Sequence, residues 1–108
     1  MLINEVAKLC NLTKKAVEYY TEQKLICPSI LENGYRDFSK KDVEILKQIA
    51  LYRRLGLSIS EIKSILANPD ELKSILYKKT LELEQEKAKQ DILQKLCNGE
   101  SLEKLEQE

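Results

Sequence analysis

The sequence predicts a mainly α fold: two short helices joined by a tight turn, a small β-hairpin, two further helices and one long helix. Three observations lead there. Asn33-Gly34 stands between Glu32 and Tyr35-Arg36, and Asn-Gly is the strongest short hairpin signal because both central residues of a type I′ turn need positive φ. Ser39 with Asp42, and Ser58 with Glu61, have the Ser-x-x-acid spacing in which side chain and backbone cap each other at a helix start. From Asp70 to about Cys97 there is no Gly or Pro and much Leu, Lys, Glu and Gln, the composition of one helix roughly 40 Å long at ~1.5 Å per residue.

Each element has a local cause. Asn4 can cap a first helix in which Val6, Leu9 and Cys10 recur at the spacing of one buried face, and the helix ends at Asn11. Thr13 offers the next N-cap. Behind it Ala16, Val17 and Tyr20 point inward, while Lys14, Lys15, Glu18 and Tyr19 point outward. Two short helices joined by Asn11-Leu12 fit a helix-turn-helix, with Ala7 and Ala16 small enough for a close crossing. Leu25 and Ile26 pack beneath, and Pro28 stops any helix there. The hairpin that follows carries Tyr35 and Arg36. Beside a helix-turn-helix it is a wing, a second arm able to grip DNA backbone while the recognition helix enters the major groove.

The third helix opens at Ser39, buries Val43, Leu46, Ile49, Ala50 and Leu55, and ends at Gly56. The fourth opens at Ser58, buries Ile59, Ile62, Ile65 and Leu66, and closes at Asn68-Pro69. In the long helix, steps of four and three from Leu72 give Leu76, Lys79, Leu83, Glu86, Gln90, Leu93 and Cys97 as a seam. This seam is too polar for a strong parallel zipper, although polar seam residues can fix register and orientation in a specific pair. One chain cannot bury it, so a homodimer is expected through Leu72, Leu76, Leu83, Leu93 and Cys97. Asn98-Gly99 is a C-cap. The chain thus divides into a winged helix-turn-helix domain (1–69), a dimerisation helix (70–97) and a short tail (98–108), frayed or forming one helical turn.

Composition narrows the function by exclusion. Eighteen basic and eighteen acidic residues cancel, so no blanket electrostatic case for nucleic acid exists. Their distribution says more. Residues 1–54 hold ten Lys and Arg against seven Asp and Glu, a balance of +3, and residues 55–108 hold eight against eleven, a balance of −3. The basic half is the half with the wing. Three dispersed cysteines, Cys10, Cys27 and Cys97, argue against a disulfide scaffold and for a reducing compartment. No apolar run approaches the ~20 residues of a membrane span, and Met1-Leu2-Ile3-Asn4-Glu5 lacks the blocks of a signal peptide. A cytoplasmic protein without membrane association is expected. The absence of histidine, of a Gly-rich phosphate loop and of a nucleophile–base pair argues against an enzyme, and no cofactor is expected.

The run Ile3-Asn4-Glu5-Val6-Ala7-Lys8-Leu9, the pair Tyr19-Tyr20, the wing Glu32-Asn33-Gly34-Tyr35-Arg36, and Leu55-Gly56-Leu57-Ser58 with Glu61-Ile62-Lys63 resemble the MerR family of bacterial transcription regulators. The similarity covers about residues 2–67 and continues as architecture through the long helix. The resemblance implies a winged helix-turn-helix and an antiparallel coiled coil in a homodimer. It also implies a pseudo-palindromic site between the −35 and −10 promoter elements, distorted so that RNA polymerase can read a badly spaced promoter. Carried over by position, the recognition-helix contacts are Thr13, Lys14, Lys15, Tyr19 and Tyr20, the wing contacts are Tyr35 and Arg36, and a backbone contact is Lys63; Glu18 joins the candidate DNA-binding residues from its place on the same helix face. Tyr20 lies on the inward stripe, so core packing is an equal reading. Glu18 departs from the family, which usually has Arg before the paired tyrosines. A carboxylate there repels phosphate, or accepts from a cytosine amino group in the groove. Phe38 replaces a usual Tyr.

Metal-sensing members of that family place thiolates at the start of the dimerisation helix and in a loop after it. Here Asp70, Glu71 and Leu72 occupy the start and only Cys97 lies near the end, so no metal site is expected. Cys97 reads as a small seam residue, with a redox thiol as the alternative. Eleven residues follow Cys97, and no C-terminal effector domain is expected among them. Two other functions remain open: an excisionase-like or architectural DNA-bending protein, and an interaction module whose DNA-binding domain has degenerated.

Overall fold

A computed structural model of the chain describes residues 1–102. Its elements are α1 (Ile3–Leu9), α2 (Lys14–Glu22), β1 (Ser29–Ile30), β2 (Arg36–Asp37), α3 (Lys40–Arg54), α4 (Ile59–Ala67), a 3-10 turn (Pro69–Glu71) and α5 (Leu72–Cys97). Residues up to Pro69 form one compact unit and those from Asp70 onward a second. The expectation for the tail falls in part on residues 103–108, outside the described residues.

Helix starts in the first unit follow the sequence signals, with one exception. Thr13 accepts from the Ala16 N–H at 3.0 Å. Both capping boxes close: Ser39 N–H donates to Asp42 and Ser58 N–H to Glu61, each at 2.9 Å. The shorter Asp side chain therefore caps as closely as Glu. The exception is α1, whose N-cap is Leu2 in extended conformation with no side-chain cap. Asn4 lies inside the helix, because the Met1 carbonyl accepts from Phe38 N–H at 2.8 Å and holds the preceding residues extended along β2.

The ends of α1, α2 and α3 share one geometry, whereas α4 ends at Asn68 in extended conformation. Asn11, Lys24 and Gly56 each follow a helix in the left-handed region, at φ 55°, 61° and 88°. In each case the next N–H reaches back to close the last turn: Leu12 to Ala7, Leu25 to Tyr20 and Leu57 to Tyr52, at 2.9–3.1 Å. Arg53 adds a side-chain bond to the Leu57 carbonyl at 3.0 Å, fixing the α3–α4 corner.

The core of this unit is Val6, Val17, Leu46, Ile49, Leu57 and Ile62, all inaccessible to solvent, with Tyr20, Ile26, Phe38, Val43 and Ile65 around them. Each such aliphatic side chain contributes about 1.5–3 kcal/mol. Of the residues expected to face inward, Ala16, Leu25, Ala50, Ile59 and Leu66 are only half-buried and two leucines are exposed. Leu9 and Leu55 are about half exposed, and Ala7 takes the buried place expected of Leu9. Both leucines sit at the last turn of a helix, where the chain turns away before anything covers them.

The wing also differs from expectation. Asn33 has no positive φ; only Gly34 does, at 86°. Gly34 N–H donates to the Leu31 carbonyl at 2.9 Å and Leu31 N–H to the Tyr35 carbonyl at 2.7 Å. The loop is therefore three residues, Glu32-Asn33-Gly34, a turn followed by a left-handed glycine rather than a two-residue type I′ turn. Asn33 accepts from the Tyr35 N–H at 3.1 Å through its side chain, which fixes the turn without the backbone entering the left-handed region. Strand pairing is brief, Ser29 with Asp37 and Ile30 with Arg36. Buried Phe38 anchors it, together with the Met1 amino group, which pairs with Asp37 and donates to the Phe38 carbonyl at 3.2 Å.

The second unit is α5, preceded by the 3-10 turn. The helix begins at Leu72 rather than Asp70, because Pro69 and the two acids after it form the tighter turn. It runs unbroken to Cys97. Asn98 caps it, and Gly99 is left-handed at φ 88°.

Candidate nucleic-acid interface

α2 presents one solvent-facing side made of Lys14, Lys15, Glu18 and Tyr19, because Val17 and Tyr20 are held in the core on the other. Thr13 stands exposed at its start. Its oxygen accepts from Ala16, which leaves its hydroxyl hydrogen free to donate outward. The Tyr19 ring lies against Tyr20 with centroids 5.7 Å apart and planes at 60°. Tyr20 is 7% exposed. Its ring packs in the core and supports Tyr19 from behind.

The wing brings Tyr35 and Arg36, both exposed, to the same side of the unit. Glu18 on α2 and Tyr35 and Arg36 on the wing line one groove of about 640 Å³, whose remaining wall includes Leu2, Ile3 and Asn4 at the start of α1. Glu18 makes no hydrogen bond or ion pair to another described residue. Asn4, an exposed amide in that wall, was missed as a candidate because its position beside the first helix reads as a cap.

Lys63 is placed differently. Its ammonium donates to Gln23 Oε1 at 3.1 Å, so α4 is tied to the end of α2. Sequence spacing gives no hint of this partner, forty residues away. Cys10 lies behind the interface, its thiol 3.8 Å from the Val43 carbonyl. Burial pushes this thiol up, with the nearby Lys47 ammonium pulling it partly back.

In the second unit, Leu72 and Leu76 are half-buried, while Leu83, Leu93 and Cys97 are exposed. Stepping from Leu72 misses a second apolar stripe on α5, Tyr77, Leu81, Ala88 and Ile92, all exposed. These four share about 60° of arc at 100° per residue without following the alternating four- and three-residue steps. Among the described residues, no cluster of three or more His, Cys, Asp or Glu could hold a metal ion, and no helix is long and apolar enough to cross a membrane.

The profile of the MerR HTH family regulatory proteins matches residues 1–69. The HTH-type transcriptional regulator CueR of Yersinia pestis is 38% identical over 68 residues, which are 62% of this chain and 49% of that protein. The chain thus spans about half the length of such relatives. Among solved structures, the N-terminus of MtaN, the Bacillus subtilis multidrug transporter activator, matches with a TM-score of 0.82 at 25% identity, covering 91% of this chain and 94% of that one. EcmrR in its complex with DNA matches with a TM-score of 0.75 at 28% identity, covering 91% of this chain and 37% of that one. With a family match over most of its length and a fold shared through the long helix, the chain belongs to the MerR family of helix-turn-helix regulatory proteins.

Proposed function

We propose that this protein is a sequence-specific transcriptional regulator that binds a pseudo-palindromic promoter site as a homodimer and distorts it. The observation that carries the reading is the groove between α2 and the wing, which sets Glu18 opposite Tyr35 and Arg36. α2 enters the major groove with Lys14, Lys15, Glu18 and Tyr19 toward the DNA, and Thr13 donates to the backbone at its start. Arg36 and Tyr35 hold the flanking backbone. Tyr20 acts through Tyr19, and Lys63 reaches the backbone from its station beside Gln23. Dimerisation runs through α5, and the two-fold axis of the pair supplies the symmetry of the site. Contacts on both flanks offset the cost of deforming the centre. EcmrR is solved with DNA in the EcmrR–RPo assembly, which supports promoter DNA and RNA polymerase as the partners here.

Selection of bound sequences from a random duplex pool tests the reading. A two-fold symmetric consensus with half-sites on one face of the duplex is expected. Retention of duplexes without a shared consensus, in tandem arrays along the DNA, would instead identify an architectural protein. No retention at any salt concentration would reject DNA binding altogether.

A further inference from the structure

Gln23 and Lys63 meet from two fixed stations. Gln23 closes α2: its N–H donates to the Tyr19 carbonyl at 2.9 Å, and the turn after it is held by Lys24 N–H to the Thr21 carbonyl and Leu25 N–H to the Tyr20 carbonyl, at 3.0 and 3.1 Å. Its half-buried side chain therefore leaves from a rigid point. Lys63 stands on α4, whose start is locked by the reciprocal bonds of Ser58 and Glu61 at 2.9 and 3.1 Å. The Lys63 ammonium donates to Gln23 Oε1 at 3.1 Å, across forty residues of chain. The acceptor is a neutral amide, and this decides what happens to the charge. Lys63 forms no ion pair among the described residues. The positions three and four away on α4, Ile59, Ser60, Leu66 and Ala67, carry no carboxylate either. The ammonium keeps its full charge, and two of its three donors remain for a further acceptor.

We infer that Gln23 is a positioning residue for DNA binding: its amide oxygen holds the Lys63 ammonium where it can donate to a backbone phosphate. This rests on the DNA-binding reading above and adds to it the residue that sets Lys63. A free lysine side chain explores many rotamers, and fixing one of them on binding costs affinity. Gln23 restricts the ammonium before the duplex arrives, so part of that cost is met in the folded protein. One bond is enough, because an ammonium is a compact point charge whose other donors rotate toward their acceptor. A carboxylate at the same position would hold the ammonium more tightly, but it would cancel the charge that attracts phosphate. The same bond ties α4 to the end of α2, so the flanking contact keeps its distance from the recognition helix.

Titration of the full chain against the selected operator and a scrambled duplex, between about 50 and 200 mM salt, tests this. Lys63→Met should lower the salt slope by roughly 0.9 on both duplexes, the loss of one phosphate contact. Gln23→Met keeps the length of the side chain and removes the acceptor. Affinity for both duplexes should fall about two- to fivefold with the slope unchanged, since the ammonium still reaches phosphate at a greater ordering cost. Gln23→Glu should keep the tether and lower the slope by roughly one, as Lys63→Met does. In the Lys63→Met background, Gln23→Met should change affinity less than about 1.5-fold, because the partner it positions is gone. An equal loss in both backgrounds overturns the positioning role, and so does a Gln23→Glu slope equal to that of the wild type. An unchanged slope in Lys63→Met overturns it as well and places the fault in the Lys63 contact, while wild-type binding keeps the DNA-binding reading. Absence of wild-type binding to either duplex rejects that reading itself. Urea denaturation without DNA accompanies each variant: the midpoints should stay close to the wild type, and an affinity loss that tracks a lowered midpoint assigns the bond to the fold and overturns the proposal.

Discussion

Replacing Glu18 by Arg puts the proposed interface to its most direct test. The side chain is exposed, has no partner among the described residues and lines the groove that also holds Arg36. At about 6 Å from a phosphate and full aqueous screening, one unit charge contributes ~0.7 kcal/mol. Turning a repulsive charge into an attractive one doubles this to ~1.4 kcal/mol, about a tenfold gain in affinity. Because the term is electrostatic it is independent of sequence, and the salt slope should steepen by roughly 0.9 for the added phosphate contact. Fluorescence anisotropy with the selected operator and a scrambled duplex, between about 50 and 200 mM salt, reads both quantities. A gain on the scrambled duplex with a loss of ~1–3 kcal/mol on the operator would instead mean that Glu18 accepts from a cytosine amino group. Weaker binding to both would refute either role and assign Glu18 to holding the fold.

Arg36→Ala should weaken binding to all duplexes alike and lower the salt slope by roughly one unit; an unchanged slope in the same titration would remove Arg36 from the interface. Lys24 sits at φ 61°, where a side chain costs ~1–2 kcal/mol. Lys24→Gly relieves this and returns about 0.4–1 kcal/mol through the unfolded chain, so urea denaturation should show a gain of up to ~1 kcal/mol, and a loss would contradict the strain. The raised thiol of Cys10 means that the unfolded chain loses its proton first as pH rises. Stability linked to Cys10 is therefore present below the ordinary thiol range and declines as pH climbs through it. Cys10→Ala should flatten that part of the denaturation-versus-pH curve; parallel curves for the two proteins would exclude the linkage.

Local chemistry was legible in the sequence because its causes are local. Thr13, Ser39 and Ser58 each cap a helix through a residue three positions on, and no distant contact is needed to form those bonds. The division of α2 into a buried and an exposed side was legible for the same reason, since it follows from 3.6-residue periodicity alone. What could not be read depends on partners far along the chain. The Asn4 cap fails because Phe38 holds Met1 extended, a contact across thirty-seven residues, and the Lys63 tether depends on Gln23.

Apolar periodicity identifies a face without saying what covers it, and this accounts for the remaining differences. Leu9 and Leu55 continue the pattern of their helices but lie where the chain turns away, and they stay in solvent. On α5 the same ambiguity returns, since Leu72, Leu76, Leu83 and Leu93 recur at heptad spacing while Tyr77, Leu81, Ala88 and Ile92 share about 60° of arc on another side. Leucine count favours the first, because leucine is the most familiar seam residue. The central positions of the first, Lys79, Glu86 and Gln90, are polar, and the second stripe is interrupted by Glu84, so neither is apolar along its whole length.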